Sequence, residues 1–487
     1  MCSTILFKMK HEPIALIRSL LAKLGKSEKS LLTPLPQSGS DRLYYKITFE
    51  NGEHPDLITF YNPVVEENRA QIEFTQHFRA LGMHVPDILA FDESETVFIL
   101  EYLGDKSLFD FLSETSESQK IIDRYKKAIS DLVRFQVSGG RNIDYSKAYP
   151  VANFDKQTIL WDLNYFKYCF LKPARIPFHE DRLERDFQTF TDALTTSSPN
   201  FFCYRDFQSR NIMIHDDELW YIDFQGGRKG PLPYDLVSLL HQVKAKLPET
   251  TKEILFNYYL DELAQVAPEE VAQVKHHYNY FVYFRIMQVL GAYGFRGLME
   301  RKAHFLQSLP TAGNALNLLI KNHPLDLYIP ELKKVFTEIT ERFYETNAPD
   351  RKSLTVHVSS FSYKKKGPPQ DFTGNGGGFV FDCRALPNPH RYATLRDLTG
   401  EDEAIRSFML KQPETEAFLE HVFALVDTSV ENYLKRGFLN LQVDFGCTGG
   451  RHRSVFSSIQ LTEHLENKHS GIFVSLTHIE INSRSND

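Results

Sequence analysis

YRDFQSRNIMI (residues 204–214) is followed closely in this sequence by WYIDFQGG (residues 220–227). Asp206 and Asn211 are five residues apart, and Asp223 ends a strand-like run twelve residues after Asn211. Phosphoryl transfer requires a carboxylate that receives the proton of a hydroxyl group, and oxygen ligands that fix Mg²⁺ against a triphosphate. These three side chains supply that set. The pattern therefore predicts a centre for phosphoryl transfer.

The length and composition set the frame for this prediction. A chain of 487 residues is too long for one ordinary hydrophobic core and fits two or three domains. With 42% hydrophobic and 24% charged residues, it is predicted to be globular. The five cysteines form no CxxC pair, so neither a disulfide framework nor a zinc site is expected, and a reducing, cytoplasmic compartment fits best.

Membranes and nucleic acids are not the expected partners. No run approaches the roughly 20 apolar residues of a membrane span, and the N-terminal sequence lacks a signal-peptide cleavage pattern. A net charge of -7 argues against a dominant role in binding polyanions. Nucleic acid is therefore a secondary hypothesis.

Hydrophobic periodicity divides the first part of the chain. EPIALIRSLLAKL (residues 12–24) predicts an amphipathic helix, and the runs at residues 44–49, 57–61 and 97–103 predict strands. From Ser107 onward most segments have a helical period. We expect a β-rich lobe followed by a larger helical lobe.

The helical pattern ends at FYETNAPDRKS (residues 343–353), and strands then alternate with helices, which is typical of an α/β domain. The predicted domains are a small lobe with its N-terminal helix, a helical lobe, a linker and an α/β domain, at residues 1–105, 106–347, 348–353 and 354–487.

The spacing of Asp206 and Asn211 matches the second half of the protein kinase catalytic loop, and Asp223 stands where the Asp of Asp-Phe-Gly would be. Together with GSDRLYYKI (residues 39–47) and IDFQGGRKGPLPYDLVSLL (residues 222–240), these residues resemble the aminoglycoside phosphotransferase and choline kinase superfamily. The nearest branch is that of anomeric N-acetylmuramate/N-acetylglucosamine kinases. The resemblance covers about residues 31–347. It implies an α+β, protein-kinase-like bilobal domain that uses ATP and Mg²⁺ to phosphorylate a small hydroxylated substrate, specifically an amino sugar.

The same resemblance implies roles for individual residues. Asp206 would be the catalytic base, Asn211 and Asp223 would bind the metal, and Asp235 would brace the catalytic loop. The other nucleotide contacts would come from the adenine-binding segment and from the loop over the phosphates, namely Glu101 to Leu103, and Ser38, Gly39, Ser40 and Arg42.

The sequence departs from the family pattern at the third strand of the small lobe, which lacks the lysine that normally contacts the α- and β-phosphates. Lys46 or Arg42 would supply the missing charge, with Glu73 as a partner on the following helix. In addition, Tyr204 replaces the histidine that opens the catalytic loop, and Gln225 replaces the glycine of Asp-Phe-Gly. Neither replacement removes a metal ligand.

Substrate recognition would fall to the helical lobe, where side chains could bond sugar hydroxyls or stack on a ring. The alternative is that aromatic residues at helical spacing belong to the core. The candidates are Trp161, Asp162 and Arg285, with Asn164 and Tyr165 beside them.

A second pattern lies near the C-terminus, where FGCTGGRHRSVF (residues 445–456) places a glycine-rich turn between a strand and a helix. Such a turn directs main-chain N–H groups at an anion, and Arg451 and Arg453 add positive charge. Cys447 and Arg453 also fit CxxGxxRS, the pattern of cysteine-dependent phosphatases with a thiolate nucleophile.

This segment, with GGFVFDCRALPNPHR (residues 377–391) and LRDLTGEDEAI (residues 395–405), is similar to the RapZ C-terminal domain. The similarity covers about residues 354–478 and implies a binding site for an amino-sugar phosphate such as glucosamine-6-phosphate. Cys447 is then a loop residue rather than a nucleophile. The implied site consists of His390, Cys447, Thr448, Gly449, Gly450 and Arg453, with Asp382, Arg384 and Asn388 nearby.

RapZ-type proteins also bind RNA through a basic tail, but residues 353–487 contain 14 Lys and Arg against 16 Asp and Glu. This balance opposes RNA binding. Two alternatives to a sugar kinase with a sugar-phosphate sensor remain: a pseudokinase-like scaffold that recruits protein or RNA, and a phosphatase in the second domain. The sequence leaves open the identity of the sugar and whether the chain forms a homo-oligomer.

Overall fold

A computed structural model describes residues 2–26, 30–36, 42–50, 54–115, 117–343, 353–371, 373 and 377–482. The chain divides into two compact units. The first consists of Met1–Lys167, Pro177–Gly291 and Asn314–Arg342, and the second of Tyr168–Ile176, Ala292–Gly313 and Phe343–Asp487. Two segments that precede residue 347 thus belong to the same unit as the C-terminal α/β domain. The predicted linker at residues 348–353 lies outside the described residues except for Ser353.

An antiparallel sheet opens the first unit. Its five strands have the order β1-β2-β3-β5-β4. The predicted N-terminal helix is confirmed, and its residues Ile17, Leu20 and Leu21 pack with apolar side chains of the sheet. The elements of this region are α1 (Cys2–Lys23), β1 (Leu31–Pro34), β2 (Leu43–Thr48), β3 (Leu57–Tyr61), α2 (Val65–Ala80), β4 (Ile88–Phe91) and β5 (Val97–Glu101).

Helices dominate the chain from there to residue 343, as predicted. They are α3 (Leu108–Glu114), α4 (Ser118–Val137), α5 (Lys156–Phe166), α6 (Glu180–Thr195), α7 (Pro233–Leu240), α8 (Glu249–Val266), α9 (Val271–Tyr293), α10 (Ala303–Leu306), α11 (Leu309–Asn322) and α12 (Pro330–Phe343).

Two short antiparallel strand pairs interrupt the helices and carry the sequence pattern at residues 204–227. The pairs are β6 (Phe201–Cys203) with β9 (Arg228–Gly230), and β7 (Ile212–His215) with β8 (Glu218–Tyr221). Asp206 follows β6 and Asp223 follows β8. Because strands of three or four residues cannot hold a loop by themselves, burial beneath the loops has to contribute.

An aromatic cluster supplies this support. Phe202, Tyr204, Phe207, Tyr221 and Phe224 are all buried in one apolar core. Their rings meet edge to face or stacked, for example Tyr204 and Phe207 at 5.1 Å between centroids and Phe207 and Tyr221 at 5.5 Å. Such pairs are directional as well as apolar. The aromatic positions that alternate with the polar residues of the pattern thus anchor the loops from below.

The C-terminal part of the second unit contains a parallel sheet with the strand order β11-β12-β10-β13. The register pairs Ser362 with Cys447, so β10 and β12 end side by side. The predicted α/β domain is confirmed. Its elements are β10 (Thr355–Ser362), β11 (Gly378–Asp382), α13 (Glu403–Leu410), α14 (Pro413–Arg436), β12 (Asn440–Cys447), α15 (Arg453–Lys468), β13 (Phe473–His478) and α16 (Ile479–Asn482).

A buried carboxylate joins α14 to α15. Asp427 accepts hydrogen bonds from Lys468 at 2.7 Å, from His469 at 2.7 Å and from His464 at 3.0 Å. Burial alone would raise the pKa of Asp427, but these hydrogen bonds lower it to about 2. The helix that begins at the glycine-rich turn is therefore held at its C-terminal end by charge. Over the residues that the structure describes, no helix is long and apolar enough to cross a membrane.

Candidate functional site

Asp235 on α7 holds the loop that carries Asp206. Its carboxylate accepts the main-chain N–H of Tyr204 at 2.7 Å and that of Arg205 at 2.9 Å. Asp235 is fully buried, and burial raises its pKa to about 7 although these two hydrogen bonds lower it. Arg205 has φ +76°, a conformation that costs free energy for a residue with a side chain. The predicted brace thus fixes a strained turn next to Asp206.

Tyr204 ties this loop to the strand end that carries Asp223. Its buried hydroxyl donates to the carbonyl oxygen of Ile222 at 2.7 Å. Burial raises the pKa of Tyr204 well above its usual value, so the hydroxyl keeps its proton and remains a donor. The tyrosine that replaces the usual histidine therefore has a structural partner, the main chain directly before Asp223.

The three residues predicted to form the centre lie together. The Asn211 side-chain nitrogen donates to the main-chain oxygen of Asp206 at 2.9 Å and to Asp223 Oδ2 at 3.2 Å. Gln225 donates to Asp223 Oδ1 at 2.7 Å, so the residue in the glycine position of Asp-Phe-Gly orients the carboxylate. Asp206 keeps 46% of its side chain exposed. A substrate hydroxyl can therefore reach this carboxylate.

These side chains fit a magnesium ion. Burial, followed by the negative charge of Asp206, raises the pKa of Asp223, because two carboxylates share a small volume. A cation would relieve this repulsion. With its nitrogen directed to Asp206 and Asp223, the Asn211 amide retains its oxygen as a ligand atom. Mg²⁺ is typically held by one or two carboxylates together with substrate phosphates. The Asp223 carboxylate and the Asn211 amide oxygen are donors of the kind that this coordination requires.

Arg42 on the segment before β2 reaches the same centre. Its guanidinium is bonded to Glu67 of α2 and lies 3.5 Å from Asp223 Oδ1, with only 10% of the side chain exposed. Burial lowers the pKa of Arg42, but Tyr44, Glu67 and Asp223 together raise it above its usual value, so the charge is retained. The ion pair to α2 that was predicted for Glu73 is formed by Glu67 instead.

Lys46, the other candidate for the missing charge, has a different environment. Its Nζ lies 3.0 Å from Asp56 and 3.2 Å from the Tyr102 hydroxyl, and the hydrogen bonds that Lys46 donates to these two groups raise its pKa. Lys46 therefore contacts the segment after β5 and not Asp223. Of the two predicted cations, the structure brings only Arg42 to the centre.

The predicted adenine-binding segment follows β5. Glu101 ends the strand and Leu103 is buried. No described residue forms a hydrogen bond with the main chain of Leu103, which suits a segment that binds a ligand through its backbone. Gly104 has φ +85°, a conformation that favours glycine and turns the chain toward α3. The predicted phosphate loop at Ser38, Gly39 and Ser40 lies outside the described residues.

The predicted substrate residues lie on two helices. Asp162 of α5 accepts from Gln288 of α9 at 2.5 Å and forms an ion pair with Arg205 at 3.2 Å. Arg285 of α9 lies 3.9 Å from Asp206 Oδ1, so both Asp162 and Arg285 connect to the catalytic loop. Trp161 is 48% exposed and makes no such connection among the described contacts.

Sequence reasoning missed Glu67, Gln288 and Tyr234. Glu67 lies in the first turn of α2, and Gln288 lies one turn beyond Arg285, a spacing that places the two side chains on one face of a helix. The position of Glu67 and the spacing of Gln288 from Arg285 can both be read from the sequence, whereas nothing singles out Tyr234. Neither identifies the partner on another element.

In the second unit, the glycine-rich turn follows β12 directly. Gly450 has φ +69°, and a Cβ atom there would lie 2.5 Å from Glu480, so only glycine fits. At Gly449 a Cβ atom would meet nothing within 4 Å, so this position is open. The Gly450 N–H donates to Cys447 Sγ at 3.2 Å, and the Ser454 hydroxyl lies 3.2 Å from the same sulfur. The buried cysteine therefore stabilises the turn.

Arg453 braces this turn from inside. Its guanidinium donates to the carbonyl oxygens of Arg384 at 2.8 Å and Leu386 at 2.9 Å, and lies 3.4 Å from the Thr448 hydroxyl. Only 5% of Arg453 is exposed. Arg453, which was predicted to contact an anion, thus connects the turn to the segment after β11.

The remaining predicted residues surround the turn. His390 is exposed, and its ring centroid is 6.0 Å from that of His452 within the turn. Asn388 accepts the His390 N–H at 3.3 Å, and Arg384 donates to both carboxylate oxygens of Asp382. All of the predicted C-terminal residues therefore belong to one neighbourhood at the ends of β11 and β12.

Two segments of the chain match protein families. Residues 32–269 match the phosphotransferase enzyme family, and residues 354–482 match the RapZ C-terminal domain. The chain is thus similar to the phosphotransferase enzyme family over one segment and to the RapZ C-terminal domain over another. The predicted fold class, a kinase-like α+β domain followed by a smaller α/β domain, is confirmed. The amino-sugar branch remains a prediction.

Curated relatives cover part of the chain. Nucleotide-binding protein jk1004 of Corynebacterium jeikeium is 37% identical over 141 residues, which are 29% of this chain and 45% of that protein. A nucleotide-binding protein of Halothermothrix orenii is 36% identical over 183 residues, 38% of this chain and 59% of that protein. The chain spans 45% and 59% of the lengths of these two relatives.

Similar solved structures include choline kinase LicA from Streptococcus pneumoniae, with 14% identity, a TM-score of 0.43 and coverage of 63% of this chain and 98% of that chain. A choline/ethanolamine kinase family protein from Mesorhizobium loti has 16% identity, a TM-score of 0.43 and coverage of 68% and 99%.

The position of Arg42 yields a prediction with an internal control. We expect Arg42→Met to weaken ATP binding about tenfold or more, since one hydrogen bond to a charged group contributes about 1.5–3 kcal/mol. Lys46→Met removes an equal charge from the neighbouring strand β2 and should change ATP binding less than about threefold. Calorimetric titration with ATP and Mg²⁺ measures both, and thermal melting checks that each variant is folded. Equal losses in the two variants would contradict the assignment.

Proposed function

We propose that the phosphotransferase-family domain transfers the γ-phosphoryl group of ATP to a hydroxyl group of a small substrate, and that this substrate is an amino sugar. The observation that carries the proposal is the meeting of Asp206, Asn211 and Asp223, held by Asp235 beneath and by Tyr204 at the side. This set performs the two tasks of phosphoryl transfer, which are to receive a proton and to position the phosphates.

Each residue has a task in this proposal. Asp206 accepts the proton of the substrate hydroxyl, because it is the more exposed carboxylate of the set, at 46% against 37% for Asp223. Asn211 and Asp223 would hold Mg²⁺, which when bound neutralises charge on the phosphate oxygens. Arg42 would contact the phosphates, and the main chain from Glu101 to Leu103 would bind adenine.

In the sequence alone, the missing lysine of the third strand favoured a pseudokinase-like scaffold. The contacts of Arg42 weaken that argument. Arg42 takes a partner on α2 and reaches Asp223, which is the arrangement that a small-lobe cation needs. Arginine remains charged when buried and binds phosphate through a planar fork. An active centre is therefore the function that the geometry favours.

An amino sugar suits the acceptor side. Trp161 and Tyr165 are four residues apart on α5, and both are partly exposed, at 48% and 39%. Exposed rings on one helical face offer an apolar surface for a sugar ring. The polar groups of Asp162 and Arg285 lie on neighbouring elements and can bond hydroxyl or acetamido groups.

Asp206→Asn is the decisive variant for catalysis. The full chain should release ADP from ATP and Mg²⁺ when N-acetylglucosamine or N-acetylmuramate is present. Asp206→Asn should reduce this turnover by about 100-fold or more, because the acceptor hydroxyl loses its base. Asp217→Asn, at an exposed turn of the same domain, is the control and should keep full turnover.

A coupled assay of ADP release and identification of the phosphosugar by mass spectrometry measure both effects. If the wild-type chain phosphorylated no amino sugar, the substrate proposal would be wrong. Full activity in Asp206→Asn would instead reject the assignment of the base.

For the RapZ C-terminal domain, we propose a binding site for a phosphorylated amino sugar at the glycine-rich turn. The open position at Gly449 and the sixteen-residue helix α15 behind the turn support it, since main-chain N–H groups and a helix N-terminus attract a phosphate. His390 and Thr448 lie beside the turn and would contact the ligand. The contacts of Cys447 with Gly450 and Ser454 support a structural role for its thiol.

Gly449 provides a test that leaves the fold intact. Gly449→Glu places a carboxylate at the turn and should weaken glucosamine-6-phosphate binding at least about tenfold, because like charges repel in a confined site. Gly449→Ala adds only a methyl group to open space and is the matched control. Isothermal titration with glucosamine-6-phosphate measures both. Unchanged affinity in Gly449→Glu would place the ligand elsewhere.

A further inference from the structure

The acceptor side of the catalytic centre contains a fixed guanidinium. Arg285 Nη1 donates to the Tyr234 hydroxyl at 3.1 Å and to Gln288 Oε1 at 3.3 Å, and Nη2 lies 3.9 Å from Asp206 Oδ1. Only 14% of the side chain is exposed. The charge thus faces the catalytic carboxylate and is held there by two neutral partners.

The orientation of Gln288 is fixed in turn. Its nitrogen donates to Asp162 at 2.5 Å, so its oxygen faces Arg285 and also accepts from the Tyr234 hydroxyl at 3.0 Å. An amide bonded through both ends has no freedom to flip. Gln288 therefore holds Arg285 in place on the side that faces Asp206.

Asp162, the other carboxylate of this side, is already engaged. It forms an ion pair with Arg205 at 3.2 Å, and the Arg205 guanidinium in turn lies 4.9 Å from the centre of the Tyr234 ring. Two arginines are thus placed against the two carboxylates that an acceptor could meet. The ring of Tyr234, which is 2% exposed, is covered by the guanidinium groups of Arg205 and Arg285 and therefore offers no face to a cation beside Asp206.

We propose that Arg285 sets the charge preference of the acceptor site, so that the centre takes acceptors without a positive charge, such as N-acylated amino sugars, and rejects acceptors with a free ammonium group. This inference rests on the proposed function and names the class of its substrate. The physical basis is the balance around Asp206. With Arg285 present a positive charge lies 3.9 Å from the carboxylate and repels a cation, whereas without Arg285 the negative charge of Asp206 would attract a cation.

The test compares two acceptors that differ in charge. N-acetylglucosamine and glucosamine are assayed at pH 6.5, below the pKa of an ordinary amino group. We expect kcat/KM of the full-length wild-type chain to favour N-acetylglucosamine by about 100-fold. In Arg285→Gln this ratio should fall at least about tenfold, through a lower KM for glucosamine. A ratio unchanged from wild type, or a wild-type preference for glucosamine, would overturn the proposal.

Two further variants separate charge from folding. Arg285→Lys keeps the positive charge and should keep most of the wild-type ratio, whereas loss of the ratio in this variant would count against a charge effect. Arg185→Gln removes an exposed arginine that pairs with Asp181 on α6, and it should leave both acceptors unaffected. Thermal melting of the three variants checks that each is folded.

A binding experiment shows whether this inference or the proposed function has failed. Absence of turnover with either sugar would reject the amino sugar as substrate. The charge effect is then measured with choline and its uncharged isostere 3,3-dimethylbutan-1-ol, by calorimetry in the presence of a non-hydrolysable ATP analogue and Mg²⁺. Arg285→Gln should bind choline at least about tenfold more tightly than wild type does. If it does not, the role of Arg285 is wrong.

Discussion

The proposed catalytic centre depends on one buried carboxylate that accepts two main-chain N–H groups. Asp235 bonds to Tyr204 and Arg205 and thereby holds Arg205 at φ +76°, a conformation that the loop would leave if the bonds were lost. Because Asp206 is the next residue, its direction follows from this turn. The interaction is buried and directional, and the aromatic cluster packs beneath the loop and supports it. Strands of only three or four residues thus suffice to bring Asp206, Asn211 and Asp223 together.

Each of the two carboxylates in the centre lies beside one arginine. Asp223 has Arg42 beside it and Asp206 has Arg285, and each arginine is itself held by a partner on a helix, Glu67 for Arg42 and Gln288 for Arg285. A buried charge without partners would be costly, so these pairs also keep the polar side chains in place. The nucleotide side and the acceptor side are therefore built by the same principle. One arginine faces the phosphates in our proposal, and the other restricts the acceptor.

The contacts of this centre that join residues close in sequence could be predicted. The contacts that depend on how helices pack could not. Asp206, Asn211 and Asp223 lie within eighteen residues and two short strand pairs, so their convergence follows from local structure. Glu67 was missed because Glu73 lies on the same helix, and only the rotation of α2 against the sheet decides between them. Gln288 pairs with Asp162, which is 126 residues away. In the second unit, the turn was predicted, but the inward direction of Arg453 depends on carbonyl oxygens after β11.

Nucleotide binding that depends on magnesium tests the account most directly. Calorimetry should show that the wild-type chain binds ATP at least about tenfold more tightly with Mg²⁺ than with EDTA, since metal ligands link the triphosphate to the protein. Asp223→Asn should lose this magnesium effect, while Asp206→Asn, which removes the base but no metal ligand, should retain it. The same magnesium effect in Asp223→Asn as in wild type would contradict the account.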